Sequence, residues 1–129
     1  MRSPMPNYPC EFEIPDEWWI AAGMADFSPN LPGYRSVAGA KLVPLREIEP
    51  PHLDRTSPRD WCGFDRVRML RILGGLKAGA EIRPVPLVEI PVDDVPLARN
   101  YAFRALDGYH RFYASVAAGF QFLPASIIK

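Results

Sequence analysis

The sequence predicts a small mixed α/β (α+β) domain with about four short strands, two main helices and a helical N-terminal arm. Three observations carry that expectation. The chain has 129 residues, enough for one domain with one modest core. Its apolar spacing switches between helix-like and strand-like periods in the order βα, ββ, αβ, with no internal repeat. Its 15 prolines are spread along the whole length and so punctuate many short elements. An apolar fraction of 48% with 23% charged residues belongs to a folded globule rather than a disordered chain.

The elements follow in order. Residues 1–15 carry Pro4, Pro6, Pro9 and Pro15 without a sustained period, which reads as an extended arm. Asp16 is placed to cap a short helix from Glu17 to Met24. Trp18, Trp19 and Ile20 load that helix with apolar area; the rings either dock the arm on the core or form a partner surface, and docking is the favoured reading. Pro29, Pro32, Gly33 and Gly39 mark an irregular connection, so residues 1–40 are taken as the arm and 41–129 as the domain.

Lys41 to Leu45 reads as a first strand, followed by a rigid turn over Glu47 to His52 and a polar, irregular stretch over 53–64. Asp65 caps a helix running to Ala78, with Met69, Ile72, Leu73 and Leu76 at helical spacing on one face and Gly79 as its stop. Pro84 to Ile90 and Asn100 to Leu106 read as two further strands, joined through a solvated Asp93-Asp94 turn. A helix from Tyr109 to Ala118, a stop at Gly119 and a strand over Phe122 to Ile128 complete the chain.

Charge excludes some functions. With 15 basic and 15 acidic residues the chain does not hold DNA through its summed field, although a DNA partner stays open through a local patch. Residues 1–65 hold 6 basic against 10 acidic side chains and residues 66–129 hold 9 against 5, and 12 of the 15 basic residues are Arg. Two cysteines, Cys10 and Cys62, make no disulfide scaffold, and two histidines give no metal-ligand spacing. The N-terminus lacks the apolar run of a secretory signal, and the uncharged stretch from Phe112 to Ile128 is broken by Gly119, Gln121 and Pro124. The expectation is a cytoplasmic protein with no membrane partner.

The informative motif is a strand, then Leu106-Asp107-Gly108-Tyr109-His110-Arg111, then a helix. A glycine at a strand-to-helix turn lets backbone approach closely. The first helical amides have no partner within the helix, and the helix dipole adds positive potential there. His110 and Arg111 add side-chain donors, which together describe an anion cradle of the kind that takes phosphate. The same residues also admit a plain reading, with Asp107 as a cap, His110 as a core ring and Arg111 in an ion pair.

Asp107-Gly108-Tyr109-His110-Arg111 with Ala114, Ala117-Ala118-Gly119-Phe120 and Leu123 to Ile128 resembles the signature region of the ParB N-terminal/sulfiredoxin-like superfamily. Leu42-Val43-Pro44-Leu45 with Ile48 and Pro50, and Arg83-Pro84-Val85 opening a strand, are similar in order to its upstream elements. The resemblance spans about residues 41–129, and the turn is closest to that of the free-serine-kinase branch. It implies a nucleotide (ATP, ADP or CTP) with Mg²⁺, phosphates held by Gly108, Tyr109, His110 and Arg111, and help from Arg83. It also implies that Asp107 positions a hydroxyl or Mg²⁺ and that Glu49 or Glu47 supplies the acidic base after the first strand.

The departures narrow the choice. Tyr109 stands where the sulfiredoxin branch has its nucleophilic cysteine, so a sulfinic-acid reductase is not expected. The helix-turn-helix that follows in partition proteins has no counterpart before Lys129, and Pro50-Pro51-His52 replaces the acidic run of the kinases. Two readings result: a stand-alone nucleotide-binding domain with phosphotransferase or hydrolase activity, or a non-catalytic adaptor or DNA-associated regulator with the same fold.

Overall fold

The structure, a computed structural model, describes residues 1–7, 10–51, 63–91 and 101–128. It is a mixed α+β domain, as expected. Its strands are β1 (Arg2–Pro4), β2 (Glu11–Glu13), β3 (Lys41–Pro44), β4 (Ile48–Glu49), β5 (Val85–Glu89), β6 (Phe103–Ala105) and β7 (Phe122–Ile127). Its helices are α1 (Asp16–Ala21), α2 (Arg66–Ala78) and α3 (Tyr109–Ala118). Residues 52–62, with Cys62 and most of the irregular stretch, and the Asp93-Asp94 turn lie outside the described residues.

Five strands form one sheet in the order β3-β7-β5-β6-β4. β7 runs antiparallel to β3 and parallel to β5, β5 is antiparallel to β6, and β6 is parallel to β4. Pro86 sits in β5, in the middle of this order, where a proline removes a ladder donor. Its carbonyl accepts from the Leu106 amide, so the missing N–H faces the place where β6 has ended and the ladder is not interrupted.

α2 forms where the caps place it. The Asp65 carboxylate accepts from the Arg68 amide at 2.9 Å, and that bond holds its carboxyl below the ordinary carboxylate range. Gly79 closes the helix with φ of 69°, in the left-handed region. Met69, Leu73 and Leu76 are buried, whereas Ile72 is half-buried.

The first 40 residues depart from an extended arm. β1 and β2 pair as an antiparallel hairpin, with Arg2 opposite Glu13. α1 begins at Asp16 with Pro15 as its cap and ends at Ala21, three residues before the expected Met24. Three-residue strands carry too little alternation to be read from sequence. Phe12, Ile14, Trp18, Met24 and Tyr34 lie in the same buried cluster as Leu73, Leu87 and Leu123, so the segment supplies part of the domain's core. The Glu47–His52 turn differs as well: Leu45–Glu47 forms one 3₁₀ turn, and Ile48 and Glu49 pair with Phe103 and Arg104.

Trp18 is buried and Trp19 is partly buried against the cluster. Trp18→Ala is therefore expected to destabilise the protein by about 3–5 kcal/mol, with a clearly smaller loss for Trp19→Ala. Urea melts of the two variants check the ranking; equal losses would refute a docking role confined to Trp18.

Candidate functional site

The expected turn is built as the sequence requires. β6 ends at Ala105, and Gly108 stands at the N-terminus of α3 with φ of 89°. A Cβ on Gly108 would lie 2.7 Å from Cγ2 and 2.9 Å from Cγ1 of Val85. Both the dihedral and the approach to β5 thus demand glycine. The Gly108 amide donates to Oδ1 of Asp107 at 2.7 Å. Asp107 is the acid of this turn, and its other oxygen lies 3.7 Å from Nη2 of Arg111.

Arg111 is buried, and its guanidinium turns back toward the strand. Nη1 donates to the carbonyls of Arg83 at 3.1 Å and Pro84 at 2.9 Å. Tyr34 donates to the same Arg83 carbonyl at 2.6 Å. Arg111 therefore fastens the first turn of α3 to the entry of β5, and the plain reading of it as an ion-pair member is met through Asp107. Removing it would take the donor from the Pro84 carbonyl and leave the Arg83 carbonyl with Tyr34 alone, so its loss would affect the fold. Burial pushes the Tyr34 phenol up to about 12, against the pull of the Arg111 guanidinium.

His110 is also buried, and its Nε2 accepts from the Asp65 amide at 2.9 Å. A ring nitrogen that accepts carries no proton, so the donor of this imidazole is Nδ1. The bond ties the cap of α2 to the first turn of α3. Tyr109 donates to the Gly63 carbonyl at 3.0 Å and Tyr113 to that of Pro51 at 2.5 Å. The rings of Phe12, Phe64, Tyr109, His110 and Tyr113 pack edge-on or tilted, with centroids 4.9–6.3 Å apart. The hairpin thus buttresses the turn from below through Phe12.

Above the turn lies a cleft of about 740 Å³. Asp107, Gly108, Tyr109, His110 and Arg111 form one wall, and Arg83 on the connection into β5 joins them. Five of the residues expected at the turn and Arg83 are thereby brought together. Glu47 and Glu49 do not line this cleft; Glu49 instead meets Arg104 of β6 at 3.4 Å.

The opposite wall was not read from the sequence. It consists of Arg68, Arg71, Ile72 and Gly75 of α2, with Ala80, Glu81 and Ile82 beyond the helix. Arg68 and Arg71 lie off the apolar face of α2, and the half-burial of Ile72 marks the stripe of the helix that faces the cleft rather than the core. The side chains of Arg68, Arg71 and Arg83 are exposed and form no ion pair or hydrogen bond among the described residues. Arg68, Arg71, Arg83 and Arg111 outnumber Asp107 and Glu81 along the cleft, and that excess of positive charge favours an anionic visitor.

For metal, the fit is narrow. Among the described residues there is no group of three or more His, Cys, Asp or Glu side chains placed to hold an ion. Asp107 and Glu81 are the carboxylates lining the cleft, a donor set that suits Mg²⁺ only when phosphate oxygens supply the remaining ligands. Among the described residues no helix is long and apolar enough to cross a membrane.

Gly108→Ala is expected to cost about 2–5 kcal/mol, combining a left-handed dihedral of about 1–2 kcal/mol with overpacking of about 1–3 kcal/mol. Val85→Ala should cost less in the Gly108→Ala background than alone, and a double-mutant cycle by urea melts reads that coupling. Additive losses would show that Val85 is not what the new methyl meets.

A second prediction concerns pH. Tyr34 is raised from 10.0 to about 12 in the folded state, so its contribution to stability is complete below pH 10 and is lost as pH rises through 12. The stability difference between the protein and Tyr34→Phe should stay constant up to pH 10 and change between 10 and 12. A difference that is flat across that range would refute the assignment. No family model, curated protein or solved structure matches this chain, so the cleft is interpreted from its own chemistry.

Proposed function

We propose that this chain is a nucleotide-binding domain that holds phosphate groups over the Asp107–Arg111 turn. The observation that carries the reading is the meeting of three exposed arginines, Arg68, Arg71 and Arg83, with the N-terminus of α3 in one cleft. The amides of that first turn and its dipole favour an anion where Gly108 admits no side chain. Arg83 and Arg71 approach from the two sides, and a guanidinium is the fork that phosphate oxygens match. Arg111 and His110 support this arrangement from beneath by fixing β5 and α2 to the turn.

Where Mg²⁺ accompanies the nucleotide, Asp107 is the residue that would hold it, and the ion would neutralise phosphate charge. Asp107 is the carboxylate of the turn able to orient an acceptor hydroxyl in a phosphotransferase or a water in a hydrolase. The placement of Glu47 and Glu49 outside the cleft favours the second reading, a non-catalytic ParB-like adaptor or regulator that binds nucleotide without turning it over. The resemblance to the ParB/sulfiredoxin-like superfamily supports both.

Thermal shift with ATP, ADP, CTP and inorganic triphosphate tests binding, since a ligand at 100 times its Kd adds about 2.7 kcal/mol of stability. Arg71→Ala and Arg83→Ala are each expected to weaken binding by about 1.5 kcal/mol, roughly tenfold, while leaving the unliganded melt unchanged. Failure of every phosphate compound to bind, or full affinity in Arg71→Ala, would overturn the reading. Phosphate release or transfer with Mg²⁺ then separates enzyme from adaptor.

A further inference from the structure

Glu81 is an anomaly in this cleft. It lines a cavity shared with Arg68, Arg71 and Arg83, yet its carboxylate forms no ion pair or hydrogen bond among the described residues. The backbone beneath it is fixed on both sides. The Ala80 amide donates to the Gly75 carbonyl at 2.9 Å and the Ile82 amide to that of Arg35 at 2.9 Å. Ser36 donates to the Ile82 carbonyl at 2.6 Å, and Tyr34 and Arg111 both donate to that of Arg83. Glu81 is therefore presented from a rigid support, with its functional group left open.

Its position has a defined relation to the turn. Arg83, whose carbonyl is fastened to Arg111, is two residues further on, a span of at most about 7 Å in an extended chain. Ile82 beside Glu81 packs toward α2, where a Cβ on Gly75 would lie 3.4 Å from its Cδ1, and Glu81 stays exposed on the cleft. A carboxylate only accepts hydrogen bonds and repels phosphate. Apart from a bridging Mg²⁺, it serves a phosphate-bearing ligand through a donor group a short distance from the phosphates, and vicinal hydroxyls of a ribose meet that description.

We infer that Glu81 is the specificity-determining residue that accepts hydrogen bonds from the ribose hydroxyls of a nucleotide whose phosphates lie over Gly108. This rests on the phosphate-binding reading of the cleft and adds to it the class of ligand: ribonucleotides in preference to deoxyribonucleotides and to sugar-free phosphates. An acceptor presented from a fixed backbone gains a hydrogen bond from the ribose hydroxyl and none from the analogue that lacks it.

The test compares ATP and CTP with their 2′-deoxy forms, and inorganic triphosphate as a probe without sugar, on the intact protein, Glu81→Gln and Glu81→Ala, by calorimetry. The expected result is at least a tenfold preference for the ribose form, reduced to less than threefold in Glu81→Ala and to an intermediate value in Glu81→Gln. Affinity for inorganic triphosphate should hold or rise in both variants, because a negative charge has left an arginine-lined cleft. Equal binding of ribose and deoxyribose forms to the intact protein, or a preference that survives Glu81→Ala, overturns the role of Glu81 while the phosphate site stands. If no phosphate compound binds, inorganic triphosphate included, both the phosphate site and this assignment fail.

Discussion

The contact between Gly108 and Val85 is the constraint on which the rest of the site depends. With no room for a Cβ, the chain leaving β6 presses its backbone onto β5 and can only continue as α3. That contact brings the first turn of α3 beside the entry of β5, where Arg111 reaches the carbonyls of Arg83 and Pro84. Strand, turn and helix then behave as one piece, and the connection between α2 and β5 has a fixed end against which to form a wall.

The buried cations and rings gain their meaning from this arrangement. Arg111 spends its donors on main-chain carbonyls, and His110 spends its acceptor on the cap of α2. The arginines of the cleft that stay exposed are Arg68, Arg71 and Arg83. A division of labour results, in which the turn's own side chains hold geometry and its neighbours supply charge. The hairpin at the N-terminus belongs to the same mechanical unit, because Phe12 packs against Tyr113 and Phe64, which in turn meet Tyr109 and His110.

Much of this was legible in the residues, and the rest had physical reasons to be hidden. Asp65 and Gly79 bracket α2 because caps and left-handed stops act locally. Gly108 was legible for the same reason. The role of Arg111 was not: a charged residue one turn into a helix reads alike whether it faces solvent or a strand entry. Arg68 and Arg71 were hidden by period itself, since spacing tells which residues share a face but not whether that face meets water or a cleft. The hairpin and β4 are two or three residues long, too short for alternation to show. The resemblance implies Glu49 or Glu47 as an acidic base, and the parallel pairing of β4 with β6 sets Glu49 against Arg104.

The segment from Ala80 to Arg83 is held almost wholly through main-chain atoms: two amides donate outward, and two carbonyls receive Ser36, Tyr34 and Arg111. Its anchoring groups exist whatever side chains the segment carries, while Ala80, Glu81 and Arg83 remain exposed. Folding information and recognition information are thus written on different atoms of the same four residues. Such a wall can exchange its chemistry by substitution at three exposed positions without asking the fold to change, which makes it the natural place for one scaffold to acquire new ligands.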